Sequence, residues 1–331
     1  MTADLNTYYP VIIEKEKTGA PVITVERLVK HYKKATNNAV DDISFSVQPG
    51  SFFALLGPNG AGKTTTISIL TTTLLPTSGR VSIAGYDLEN EPNKVRDELG
   101  IIFQKPSLDL HLTAEENIRF HAMLYGIYPF RPSFNLMPKS YQKQVLELAQ
   151  IVGMEHLLHK KVKTFSGGMQ RKLEIMRSLL HRPKVLFLDE PTAGLDADSR
   201  RNLWEYLQKV RDEHGTTVFL TTHYLEEAEL ADDVCIINQG KIVAQGSPAQ
   251  LKTQLINNYL TIEAHDRQAL RTELDRLQIP FDGHSPLKLW VEDARMVHEL
   301  LRRITTPLSH IETYNPSLEE AYLEIVRNTN A

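Results

Sequence analysis

The segment GPNGAGKT, residues 57–64, constrains this chain more than any other stretch. It fits G-x-x-x-x-G-K-[ST], a spacing in which glycines let successive backbone N–H groups turn toward one anion. Gly57, Pro58, Asn59, Gly60, Ala61 and Gly62 form the turn, and Lys63 is long enough to reach the β and γ phosphates of a nucleotide. The Thr64 hydroxyl can ligate magnesium, and Thr65 follows in the same first helical turn. Such a loop needs a strand before it and a helix after it. The apolar run 51–56 supplies the strand, and a helix is expected to continue to about Leu75, stopped by Pro76 and Gly79.

A second segment, VLFLDEPTAGLD at 185–196, complements the first. A buried strand ending in two carboxylates puts Asp189 at the carboxyl end of a sheet, where open α/β folds bind their ligands. Asp189 can hold magnesium through water, and Glu190 can polarise an attacking water. A strand ending in Asp-Glu is weak evidence alone, because such pairs often cap a helix. Beside a phosphate loop it becomes specific. Apolar runs at 100–103, 184–188 and 216–220 alternate with helical patterns, which predicts an α/β parallel sheet. Half-buried strands at 22–27 and 43–47 precede it, and a helical insertion at about 105–182 interrupts it. Within that insertion the stretch 126–140 carries three prolines and must loop.

Length and charge bound the rest. The 331 residues suit two domains on a prior of ~150 residues each. The net charge is −4, which disfavours nucleic acid as partner, and no run approaches the ~20 apolar residues of a membrane span. The single cysteine, Cys235, lies in the apolar run VCII and reads as a core residue that can form no intrachain disulfide. Residues 1–21 lack the pattern of a signal peptide and read as a flexible extension. Residues 22–254 contain the motifs. Residues 255–331 alternate strand and helix as a small α+β unit, for which a ferredoxin-like arrangement is one candidate. That unit carries 8 basic and 12 acidic residues, leaving 29 of each before it, so the net negative charge belongs to it alone.

A third segment, FSGGMQRKL at 165–173, has Ser166 as a helix N-cap, with Gly167 and Gly168 leaving the helix start bare for a phosphate. With this segment the chain resembles the ATP-binding cassette family, from about Val22 to about Leu251 and with the motifs in the family's order. The resemblance implies an ATPase using ATP and Mg2+. It also implies head-to-tail pairing with a second ATPase subunit, so that each ATP lies between one phosphate loop and the other chain's Ser166–Gly167–Gly168. Tyr32 would then stack on adenine, Gln104 would touch magnesium or the attacking water, His223 would contact the γ-phosphate, and Asp196 would lie at the dimer contact.

Three further stretches, TTTLLPTSG at 71–79, THYLEEAE at 222–229 and NPSLEEAYLEIV at 315–326, are similar to the daunorubicin-resistance-like, ABC-2 type exporters. Their permease is a separate polypeptide, so this chain would be peripheral on the cytoplasmic face of the cell membrane. An importer ATPase with a carboxyl-terminal regulatory domain, a non-transport cassette and a kinase are the alternatives. The absence of sustained heptads in the insertion, the single set of motifs and the SGG segment weigh against the last two. The loop 128–139 is bulkier than the family's usual link and lies where the family faces its permease. Cargo is chosen by membrane helices outside this chain. The tail's implied role is dimer stabilisation or regulation.

Overall fold

Short strands made almost entirely of apolar residues cannot leave either face in water, so they stack side by side with helices on both sides. The protein, described here from a computed structural model for residues 11–12, 19–104, 107–255, 259–291, 294–314 and 317–330, is built on this constraint. Its chain begins with β1 (Val11–Ile12), β2 (Ile23–Lys30), β3 (Val40–Val47), β4 (Phe52–Leu56), α1 (Lys63–Leu70), β5 (Ser78–Ile83) and β6 (Tyr86–Asp87). Next come α2 (Pro92–Asp97), β7 (Leu99–Ile102), α3 (Ala114–Leu124), α4 (Lys139–Val152), α5 (Gly167–Ser178) and β8 (Val185–Asp189). The first unit closes with α6 (Ala197–His214), β9 (Thr217–Thr222), α7 (Leu225–Ala228), β10 (Asp233–Asn238) and β11 (Lys241–Gly246). One sheet runs β1-β11-β10-β4-β9-β8-β7, and a second, antiparallel, runs β3-β2-β5-β6.

The parallel strands β4, β8 and β9 are buried at every position. Phe53, Phe219 and Phe187 occupy one row across them, with ring centroids 5.0 Å and 5.1 Å apart. Each such side chain contributes roughly 1.5–3 kcal/mol on burial. Phe45 of the antiparallel sheet stacks on Phe53 at 5.5 Å, so the two sheets share a core, in which Cys235 is also buried.

Helix α1 is shorter than expected. It ends at Leu70 rather than near Leu75, because Thr71 and Thr73 donate their hydroxyls to the carbonyls of Ile67 and Ser68, and Thr72 turns left-handed at φ 59°. Residues 1–10 and 13–18 of the expected extension lie outside the described residues. Val11–Ile12, however, pair in parallel with Ala244–Gln245 as an edge strand rather than trailing free. In the helical insertion a buried ion pair, Arg119 Nε to Glu115 at 2.9 Å, is joined by the Tyr141 hydroxyl. Arg119 also donates to the Arg131 carbonyl at 2.6 Å, and Gln142 to those of Asn135 and Met137, so the proline-rich loop is tethered at several points.

The chain divides at Gly246, ahead of the expected 254/255 boundary. The physical reason is α8 (Pro248–Leu255), which packs with the last helix of the tail. The tail continues through β12 (Tyr259–Ala264), α9 (Arg267–Arg276), β13 (Leu287–Trp290), α10 (Ala294–Arg303), β14 (Leu308–Tyr314) and α11 (Leu318–Asn330). Its sheet is antiparallel in the order β13-β12-β14, with Leu260, Ile262, Leu270, Leu274 and Leu289 in the core. The described residues thus supply three strands where a ferredoxin-like unit has four.

Glu273 on α9 is buried and accepts hydrogen bonds from the hydroxyls of Thr305 and Thr306 and from their N–H groups at 2.9 Å and 2.8 Å. These bonds, the Thr305 hydroxyl first, pull its pKa from 4.5 to about 2. A carboxylate depressed on folding contributes stability that is present above its unfolded pKa and lost as pH falls through the folded one. The tail's unfolding transition should therefore weaken between about pH 4.5 and pH 2. In calorimetry of the whole chain, Glu273→Gln should remove this dependence at a cost of about 1–3 kcal/mol at neutral pH.

Candidate functional site

Parallel register levels the ends of the central strands. Leu56 pairs with Thr222, Asp189 with Thr221 and Ile102 with Leu188. The residues just beyond the strands, Gly57, Gln104, Glu190 and His223, therefore emerge at one edge of the sheet.

The phosphate loop is shaped by close approach. A Cβ at Gly57 would lie 2.3 Å from the Ile237 carbonyl, and one at Gly62, whose φ is 110°, would lie 2.4 Å from that of Ala39. Only glycine fits either position. Gly240 N–H donates to the Ala61 carbonyl at 2.9 Å and pins the loop, while Asn59, Gly60 and Thr64 are exposed and Pro58 and Thr65 half-buried. Lys63, 5% exposed, donates to the carbonyls of Gly57 at 2.7 Å and Pro58 at 3.1 Å. Burial lowers its pKa, against the pull of the Glu190 and Asp189 carboxylates. Such a cation, with a helix N-terminus beside it, suits a multiply charged anion.

Glu190 is the meeting point. Its carboxylate lies 3.8 Å from Lys63 Nζ, accepts from Gln104 Nε2 at 3.1 Å and is 3.2 Å from His223 Nδ1. Its backbone is left-handed at φ 45°, held by hydrogen bonds from its N–H to the carbonyl and hydroxyl of Thr221. Non-glycine residues adopt this region at a cost and cluster where geometry matters. Asp189 is buried; Thr221 donates its hydroxyl to Oδ1 at 2.6 Å, and burial pushes the Asp189 pKa upward. A cation beside Asp189 would offset that penalty. The Asp189 carboxylate, the Thr64 hydroxyl and the Gln104 amide oxygen are all hard-oxygen donors, the chemistry that magnesium takes.

The remaining expected residues lie apart from this cluster to different degrees. Tyr32, half exposed beyond β2, has its hydroxyl 3.5 Å from that of Thr65 and so flanks the start of α1. Ser166 caps α5, accepting from Met169 N–H at 3.3 Å. A Cβ at Gly168 would meet Ser199 Oγ at 2.9 Å, so this glycine lies close against α6, whose own N-cap is the exposed Asp196, while Ser166 and Gly167 are exposed. Among the described residues no hydrogen bond or ion pair joins Ser166, Gly167 or Gly168 to the phosphate loop of the same chain.

Sequence reading missed the supports. Glu227 is buried and accepts from the hydroxyls of Thr222, at 2.7 Å, and Thr192; burial pushes its pKa up. It thereby ties the segment after Glu190 to the strand end before His223. The acidic run on α7 carried no sign of which carboxylate would turn inward.

A strand, a glycine cradle, a buried lysine and a carboxylate at the end of another parallel strand of the same sheet define a P-loop nucleotide hydrolase. Residues 40–193 match the ABC transporter family. The chain is 39% identical to the daunorubicin/doxorubicin resistance ATP-binding protein DrrA of Streptomyces peucetius, over 92% of this chain and 90% of that one. It is 38% identical to the Nod factor export ATP-binding protein I of Ralstonia nicotianae, over 77% of each. A solved dimeric ATP-binding cassette in a post-hydrolysis state with ADP and Pi superposes with a TM-score of 0.59 at 26% identity, covering 68% of this chain and 98% of that one. The chain belongs to the ABC transporter family, as the ATP-binding and ATP-hydrolysing subunit of an exporter-type system. Among the described residues no helix is long and apolar enough to cross a membrane.

Gly57→Ala should force the loop off Ile237. Destabilisation of about 1–3 kcal/mol should accompany at least a tenfold loss of nucleotide affinity, roughly 1.4 kcal/mol, read by thermal unfolding with and without ATP.

Proposed function

We propose that two such subunits close head to tail around ATP and, by hydrolysing it, drive separate permease chains to export a drug, lipid or polysaccharide. The observation that carries the reading is the convergence of Lys63, Gln104 and His223 on the Glu190 carboxylate beside the phosphate loop. Relatives named for drug resistance and for Nod factor export support the exporter reading, the first of them the drug class of cargo. The dimeric neighbour supports the pairing. The chain would work on the cytoplasmic face of the membrane, held by the permease, as a subunit without nucleic acid as partner; its family membership supports this reading.

In this mechanism the loop N–H groups from Gly60 to Thr65 and the Lys63 ammonium hold the β and γ phosphates, and Tyr32 stacks on the adenine. Lys63 exchanges its bonds to Gly57 and Pro58 for phosphate oxygens. Thr64, Asp189 and Gln104 would hold magnesium, which supplies charge neutralisation on the phosphates. Glu190 accepts the proton of the attacking water, with Gln104 and His223 fixing the carboxylate, and His223 also reaches the γ-phosphate. The second chain's Ser166–Gly167–Gly168 helix start completes the anion site. Hydrolysis splits the bridging anion, and the pair opens. The tail would stabilise or regulate the dimer.

Glu190→Gln should bind ATP and accumulate as dimer while turnover falls about 10²- to 10⁴-fold. Light scattering and phosphate release measure the two, and hydrolysis at the normal rate would show that Glu190 is not the base. Deleting the tail should weaken dimerisation or alter ATPase rate; both unchanged would remove it from regulation.

A further inference from the structure

Arg171 has no part in the mechanism above, yet it is buried on α5, just past the glycine pair. Its guanidinium donates to three main-chain carbonyls: Phe103 from Nη1 at 2.6 Å, Asp189 from Nη2 at 3.2 Å and Pro191 from Nε at 3.1 Å. Phe103 O belongs to the peptide that enters Gln104, and Asp189 O to the peptide that enters Glu190. Pro191 O belongs to the peptide two bonds further along, so the carbonyls on both sides of Glu190 are held by one planar cation. That residue is the one with the left-handed backbone at the centre of the site.

The clamp is braced from behind. Nη1 of Arg171 also donates to Glu174 Oε2 at 3.1 Å, and Glu174 Oε1 accepts from the Ser107 N–H at 2.7 Å. Arg177 donates to the Ser107 carbonyl at 2.9 Å and to its hydroxyl at 2.6 Å. Helix α5 therefore grips the chain on both sides of Gln104 as well. A carbonyl held this way fixes a peptide plane, and the plane sets where the next side chain leaves the backbone.

We infer that Arg171 is a positioning residue for hydrolysis: it fixes the peptide planes leading into Gln104 and into Glu190 and the plane that follows Pro191, and so aims the carboxylate at the attacking water. The inference rests on the proposed role of Glu190. A lysine cannot replace the arginine here, because a single ammonium on a flexible stem cannot serve three acceptors from a rigid fork. Among the described residues no hydrogen bond or ion pair joins the Arg171, Glu174 or Arg177 side chains to the phosphate loop, so nucleotide binding should be spared.

The test uses the full chain carrying Arg171→Lys, Glu190→Gln, or both, with turnover, KM, binding of a fluorescent ATP analogue and thermal unfolding as readouts. Arg171→Lys should lower kcat about 100-fold while KM and analogue binding stay within about threefold of the parent. Added to Glu190→Gln it should lower the residual rate no further, since both changes act through one carboxylate. Glu174→Gln, which keeps an acceptor for Ser107, should give a smaller loss of kcat in the same direction, and it decides the matter if Arg171→Lys fails to fold. Normal kcat in Arg171→Lys, with Glu190→Gln inactive, overturns the inference and leaves the role of Glu190 standing. A raised KM at unchanged kcat, or a further drop in the double variant, overturns it too. Normal turnover in Glu190→Gln instead overturns the reading on which the inference depends.

Discussion

The parallel register of β7, β8, β9 and β4 is the constraint on which the site depends. Hydrogen bonds between these strands bring Ile102, Leu188, Leu220 and Ala54 level, and Gly57, Gln104, Glu190 and His223 each follow within a residue or two of a strand end. A slip of one residue in β8 would send Asp189 and Glu190 to opposite faces from those they occupy. Burial of β4, β8 and β9 at all positions makes such a slip expensive, since it would trade packed phenylalanine rows for voids. Catalytic geometry is thus specified by packing several ångströms away from the chemistry.

On this frame the charges are arranged as partial neutralisations that an anion with its counter-cation would complete. Lys63 rests on two carbonyls and at 3.8 Å from a carboxylate, a weak set of partners for a buried ammonium. Among the described residues the Asp189 carboxylate has one side-chain hydrogen-bond donor, Thr221, and its pKa is raised. Each group alone is held at some cost, and each cost has the sign that a triphosphate with a divalent cation would relieve. On the proposed mechanism that relief would go toward closing two chains rather than reshaping one.

Much of this was legible in the sequence, for identifiable reasons. The phosphate loop, the Asp-Glu strand end and the SGG helix start are local: each motif dictates its own backbone and needs only its neighbours. The strands around them were legible because apolar runs bounded by Gly, Pro or charged residues have few other fates. The end of α1 was misplaced because three threonines in a row compete for helix carbonyls through their hydroxyls, an effect that an apolar pattern does not report. The Val11–Ile12 strand and the Gly246 division escaped notice for another reason. Both depend on pairing or packing with residues far along the chain.

The supports of the site were illegible on the same ground. Glu227 and Arg171 sit in runs of charged residues that read as solvated helix faces, EEAE and QRK. What turns them inward is the supply of acceptors and donors made when separate strands end together: three carbonyls for Arg171, two threonine hydroxyls for Glu227. Burying a guanidinium stabilises a fold little, because desolvation consumes most of the gain. Its value lies in geometry. An apolar residue at 171 could fill the volume, but it would leave the carbonyls of Phe103, Asp189 and Pro191 without these donors and Glu190 free to relax from its left-handed backbone. A buried ion pair at this point therefore trades stability for the fixed placement of one carboxylate, which is the quantity that a hydrolase must hold most closely.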